Sequence, residues 1–98
     1  MKVRLSPDAL FDVDSLRNHI AHNGDGVIAE RIVDRIGSVI STLAQFPHLG
    51  RDGRVPGTSE MVVPRIPFLI VYRVDLNEQE HELIVLRVYH AAQDRHQQ

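Results

Sequence analysis

Ninety-eight residues with no cysteine, 43% apolar and 24% charged, describe one small globular unit stabilised by packing and hydrogen bonds, without disulfides or Cys-held zinc. That composition excludes a two-domain enzyme, a thiol catalyst and a disordered chain, and no apolar run reaches the length needed to cross a membrane. Eleven basic against thirteen acidic residues leave a net charge of −2, so the chain is not built as a dedicated nucleic-acid binder and any phosphate contact must be local. Met1 to Asp8 carry two positive charges but no apolar stretch before the acids begin, so no signal peptide is read and a cytoplasmic address is expected.

Val3-Arg4-Leu5 alternates as a short strand does and stops at Ser6-Pro7-Asp8, where serine can cap, proline suits the first helical turn and aspartate suits the dipole. Ala9, Leu10, Val13, Leu16, Ile20 and Ala21 then recur at spacings of three and four, which predicts a first helix to about His22, with Asp12, Asp14, Arg17 and Asn18 off the stripe. Asn23-Gly24-Asp25-Gly26 is a strong turn signal in which aspartate can cap the next helix. From Val27, the residues Ile28, Ile32, Ile36, Val39, Ile40, Leu43 and Phe46 form a longer apolar face that Pro47 ends, completing an αα-hairpin.

His48 to Thr58 reads as a compact loop, with Gly50, Gly53, Pro56 and Gly57 around Arg51 and Arg54. Three β-branched and aromatic runs follow, Glu60–Val63, Phe68–Val74 and Leu83–Tyr89, separated by Pro64–Pro67 and by an acidic turn, Asp75–Glu80. Three consecutive strands predict an antiparallel meander. The polar tail, Gln93–Gln98, is expected to fray. The whole chain, 1–98, is read as a single α+β domain: an N-terminal short strand, the αα-hairpin and a three-stranded meander (β-α-α-β-β-β), with the helices packed on one sheet face and the other face left for binding.

Period-two alternation on the last strand puts Ile84, Leu86 and Val88 toward the helices and Leu83, Val85, Arg87 and Tyr89 on the open face, with His90 just beyond. Arginine can grip phosphate oxygens, tyrosine can stack and histidine titrates near neutrality, so the cluster suits RNA chemistry; the same three residues also suit a solvated rim. Arg51, Arg54, Arg65 and Arg73 against Asp52 and Glu60 make the middle of the chain locally basic, a surface suited to phosphate or to protein carboxylates. Gly50-Arg51-Asp52-Gly53 lacks the lysine and hydroxyl residue of a Walker loop, and neither G-x-G-x-x-G nor a serine elbow occurs. His19 and His22 stand three apart without the H-E-x-x-H pattern, so no metal site and no cofactor are expected; His48 and His81 receive no role.

Leu43-Ala44-Gln45-Phe46-Pro47-His48-Leu49-Gly50-Arg51, Pro56-Gly57-Thr58-Ser59-Glu60, Pro67-Phe68-Leu69-Ile70-Val71-Tyr72-Arg73-Val74 and Val85-Leu86-Arg87-Val88-Tyr89-His90 together resemble the RelE/ParE superfamily of bacterial toxins over nearly the whole chain. The resemblance implies the toxin of a type II toxin-antitoxin module, neutralised by a co-encoded antitoxin and reaching operator DNA only through it. The superfamily divides into ribosome-dependent mRNA endonucleases and DNA gyrase poisons. For an mRNA endonuclease it implies His90, Arg87 and Arg65 as catalytic residues. For target contact, whether gyrase or ribosome, it points to Arg51, Arg54, Tyr89 and Glu60. RelE-like nucleases carry an arginine within a Y-R-x-x-Y strand, where this chain has Phe68-Leu69-Ile70-Val71-Tyr72, and a lysine-rich surface that is missing here. These departures favour the ParE-like gyrase branch, with the mRNA endonuclease as the alternative and an inactive antitoxin-binding member as a third reading.

Overall fold

The computed structural model describes residues 1–77 and 79–91. Its elements are strand β1 (Lys2–Leu5), helix α1 (Pro7–His22), helix α2 (Gly26–Gln45), a short 3-10 turn (Pro47–Leu49), and strands β2 (Arg51–Asp52), β3 (Ser59–Val62), β4 (Phe68–Leu76) and β5 (His81–His90). The Gln93–Gln98 tail, expected to fray, lies outside the described residues, as does Glu78.

Each helix starts where the sequence provides an acceptor. The Ser6 hydroxyl accepts from the Ala9 N–H at 3.1 Å and donates to the Leu86 carbonyl at 2.9 Å, so one side chain caps α1 and fastens it to β5. Asp25 Oδ1 accepts from the N–H groups of Val27 and Ile28 at 3.0 and 3.1 Å, after Gly24 has turned the chain at φ +116°. Ala9, Ile36, Ile40 and Leu43 of the two helices then pack on Ile70, Tyr72, Leu83, Val85 and Val88 of the sheet to form the core.

The meander β3-β4-β5 is antiparallel as predicted, within a larger five-stranded sheet of order β1-β5-β4-β3-β2. β1 pairs parallel to β5, Leu5 opposite Val85. Within the predicted loop, Arg51 and Asp52 extend beside Glu60 and Ser59 and form the far edge strand. The acidic turn is shorter than predicted. Asp75 and Leu76 stay in β4, and Asn77 Oδ1 closes the turn by accepting from the N–H groups of Gln79 and Glu80.

The face assignment on the last strand is corrected. β4 and β5 pair as Val71 with Arg87 and then as Tyr72 with Val85, so Leu86 is an extra residue, a β-bulge. Strict alternation fails at that point, and the residues that join the helix-facing core are Leu83, Val85 and Val88. Ile84 is buried outside that cluster and Leu86 is half-buried.

Tyr72 ties the turn after α2 to the sheet. Its fully buried hydroxyl donates to the Pro47 carbonyl at 2.7 Å and accepts from the Gly50 N–H at 3.1 Å. Gly50 lies so close that a Cβ there would collide with the Tyr72 hydroxyl. Tyr72→Phe therefore leaves two backbone groups without their partner and should cost about 1–3 kcal/mol, read in urea unfolding as a lower midpoint at unchanged slope.

Candidate functional site

The predicted site residues separate into two clusters. At the β2 edge, the Glu60 carboxylate is 7% exposed although it belongs to a charged residue. Its Oε1 accepts from Arg51 Nη2 at 3.2 Å and Nε at 3.4 Å, and its Oε2 accepts from the Arg54 backbone N–H at 3.1 Å. Glu60 is therefore an internal organiser of the arginine loop, and the exposed groups are the two arginines and Val55. The loop is closed by backbone hydrogen bonds from Gly53 N–H to the Thr58 carbonyl and from Thr58 N–H to the Val55 carbonyl.

The second cluster sits where β5 runs past the end of β1. There the strand has lost its parallel neighbour, and Asp12 of α1 takes its place. Asp12 Oδ2 accepts from the Val88 N–H at 2.8 Å and from Arg87 Nε at 2.8 Å, while Oδ1 accepts from Arg87 Nη2 at 3.0 Å. The Asp12 side chain is 11% exposed, so this bidentate ion pair is largely withdrawn from water. Its hydrogen bonds, with the nearby carboxylate charge, raise the Arg87 guanidinium further above its ordinary value against a smaller opposing effect of burial, and Arg87 stays charged at every accessible pH. The guanidinium also stacks over the Tyr89 ring, 4.6 Å from its centroid. His90 meets Phe68 edge-on, with centroids 5.4 Å apart.

Beside this cluster runs a groove of about 910 Å³ between the helical hairpin and the end of the sheet, lined from the helices by both apolar and polar residues, Phe11 and Ile28 with Asp12 and His19, and from the strands by Phe68, Arg87, Val88, Tyr89 and His90. Arg65, on the β3–β4 turn, is exposed and holds φ +72°, an uncommon backbone state for a residue other than glycine. Arg87, Tyr89 and His90 are thus brought together as the sequence suggests, while Arg51, Arg54 and Glu60 form a separate cluster at the other sheet edge. Asp12 was legible only as a polar residue off the α1 stripe, because nothing in the sequence reports the bulge that turns Arg87 toward it. Among the described residues, no three His, Cys, Asp or Glu side chains are grouped to hold a metal ion, and no helix is long and apolar enough to cross a membrane.

An αα-hairpin laid on a mixed sheet is the architecture of a RelE/ParE-superfamily toxin. The family model described as "ParE toxin of type II toxin-antitoxin system, parDE" matches residues 3–95, and the chain belongs to that family. It is 35% identical to "Putative toxin Y4kP" of Sinorhizobium fredii (strain NBRC 101917 / NGR234) over 92 residues, covering 94% of this chain and 90% of the relative. Among solved structures, the chromosomal ParDE system of P. aeruginosa superposes with a TM-score of 0.80 at 25% identity, over 92% of this chain and 95% of the other. The YoeB/ParE toxin of Agrobacterium tumefaciens shares the fold at a TM-score of 0.64 and 20% identity, covering 92% and 98% of the two chains. So does the RelBE2 toxin-antitoxin complex of Mycobacterium tuberculosis, at 0.56 and 23%, covering 91% and 95%.

Removing one partner of the Asp12–Arg87 pair strands the other. Arg87→Met should destabilise the fold by about 1–2 kcal/mol, the lower part of the range for such pairs because Arg87 is partly exposed. Combined with Asp12→Asn, the loss should be smaller than the sum of the two single losses, as a double-mutant cycle in chemical denaturation would record.

Proposed function

We propose that this toxin inhibits growth by binding DNA gyrase and needs no catalytic residue of its own to do so. The observation that carries this reading is the Asp12–Arg87 pair. RNA cleavage by 2′-hydroxyl attack needs a base, an acid and unneutralised positive charge on the pentavalent phosphorane. Arg87, the cation best placed on β5 for that task, already has its charge matched by a carboxylate 2.8 Å away. Glu60, a carboxylate of the right type for a base, is spent on the Arg51 guanidinium and the Arg54 backbone N–H. His90 and Arg65 remain as exposed groups, which is too little for the full chemistry.

In this reading Arg51, Arg54 and Tyr89 are target contacts, and Glu60 shapes the loop that carries two of them. The cognate antitoxin covers the groove between the hairpin and the sheet, where Phe11 and Ile28 otherwise face water. Operator DNA is met only through that antitoxin, and the complex operates in the cytoplasm.

A DNA-damage-response reporter, followed in cells expressing the toxin without its antitoxin, tests the assignment. A strong signal before growth stops is expected, and His90→Ala should leave it intact. Growth arrest with a silent reporter, relieved by His90→Ala, transfers the assignment to mRNA cleavage with His90, Arg87 and Arg65 as the residues responsible. Normal growth with folded protein leaves a module that only binds antitoxin.

A further inference from the structure

The loop between β2 and β3 is closed by its own hydrogen bonds. The Gly53 N–H donates to the Thr58 carbonyl at 2.9 Å, and the Val55 carbonyl accepts from the Thr58 N–H at 3.1 Å and from the Thr58 hydroxyl at 2.6 Å. Glu60 holds the Arg54 N–H at 3.1 Å. Gly57 turns the chain at φ +84°, and a Cβ on Gly53 would collide with the Thr58 hydroxyl, so both glycines are needed for this shape. With the N–H groups of Gly53, Arg54 and Thr58 engaged and Pro56 having none, at most Val55 and Gly57 keep a backbone donor for an outside group, too few to cradle a phosphate. What the loop does present is aliphatic: Val55 is 64% exposed at the tip, beside the stiff ring of Pro56, and the exposed Arg51 side chain stands on the strand that leads in. The loop borders a recess of about 550 Å³ shared with Pro47, His48 and Val74, so it is not packed against the body over its whole length.

This loop also lies away from the groove. It enters β3 at Ser59, opposite Tyr72, whereas the groove lies at the end of β4 where Phe68 faces His90. Val74, beside the loop, and Phe68, in the groove lining, are six residues apart on one strand, a span of about 20 Å. A partner seated in the groove therefore has no need to touch Val55.

We propose that Val55 and Pro56 are a preformed apolar anchor that seats in a hydrophobic socket on the target enzyme, flanked by Arg51, and that this contact is separate from the groove. The proposal rests on the gyrase reading above and names the part of the toxin that recognises the enzyme. An aliphatic group on a loop already closed by hydrogen bonds loses little conformational freedom on docking, so most of what it gains by leaving water is kept as affinity. A protein socket is favoured over nucleic acid because Val55 and Pro56 offer neither charge nor a stacking surface.

The test is a supercoiling assay with purified DNA gyrase and the full chain, run beside calorimetric titration of the same chain with its cognate antitoxin. Val55→Asp should raise the concentration for half-inhibition about tenfold or more, with an unchanged circular dichroism spectrum and an antitoxin affinity within about twofold of wild type. Val27, on the first turn of α2 and also 64% exposed, is the matched control, and Val27→Asp should leave inhibition unchanged. If Val55→Asp does not fold, Val55→Ser should show the same weakening at smaller size. Full inhibition by the folded Val55 variant, equal weakening in Val27→Asp, or a parallel loss of antitoxin affinity overturns the proposal while leaving the gyrase reading in place. A wild-type toxin that leaves gyrase unaffected removes both.

Discussion

One carboxylate, Asp12, ties helix α1 to the end of β5 that β1 leaves uncovered. β1 stops at Leu5 and β5 continues to His90, so the second half of β5 would present an open edge. Asp12 closes it with three hydrogen bonds, to the Val88 N–H and to two nitrogens of Arg87. The bulge at Leu86 makes that geometry available by resetting the alternation just before Arg87. Ser6, six residues earlier, fastens the start of the same helix to the Leu86 carbonyl. The position of α1, and with it the depth of the groove, depends on these contacts.

Other arginines of the sheet are paired with carboxylates in the same way. Arg4 pairs with Glu82 at 3.3 Å, Arg51 with Glu60 at 3.2 Å, Arg73 with Asp75 at 3.7 Å and Arg87 with Asp12 at 2.8 Å. Of the four arginines in the stretch that looks basic in the sequence, Arg51 and Arg73 are therefore matched by carboxylates once folded. Exposed pairs of this kind add little stability, but they determine what the surface attracts.

Elements that depend on local chemistry were legible before folding. Ser6-Pro7 opened α1, Asp25 capped α2, Pro47 ended it, and the apolar periodicity set the hairpin, because each signal acts within a few residues. What was not legible depends on pairing across the chain. The two-residue β2 is a strand only because Glu60 and Ser59 lie opposite it, and the parallel place of β1 beside β5 leaves no mark on Val3-Arg4-Leu5. The candidate site shows the same division: Arg87, Tyr89 and His90 were visible as neighbours in sequence, whereas Asp12 is 75 residues from Arg87 and entered only through the fold.

The parallel pairing of β1 with β5 also bears on synthesis. β5 lies between the first strand and β4, yet it is the last of the described strands to be made, and Val3 waits for Leu83 before it has a neighbour. Contacts so distant along the chain are closed late, since the entropy of ordering the intervening segment is lost before the pairing returns anything. Asp12, too, has neither Arg87 nor the Val88 N–H to bind until the final strand has left the ribosome. From the end of α2 at Gln45 until β5 is made, the nascent chain thus carries its helical hairpin without the sheet that completes the groove. The Asp12–Arg87 pair and the groove beside it come into existence in the same late step of folding.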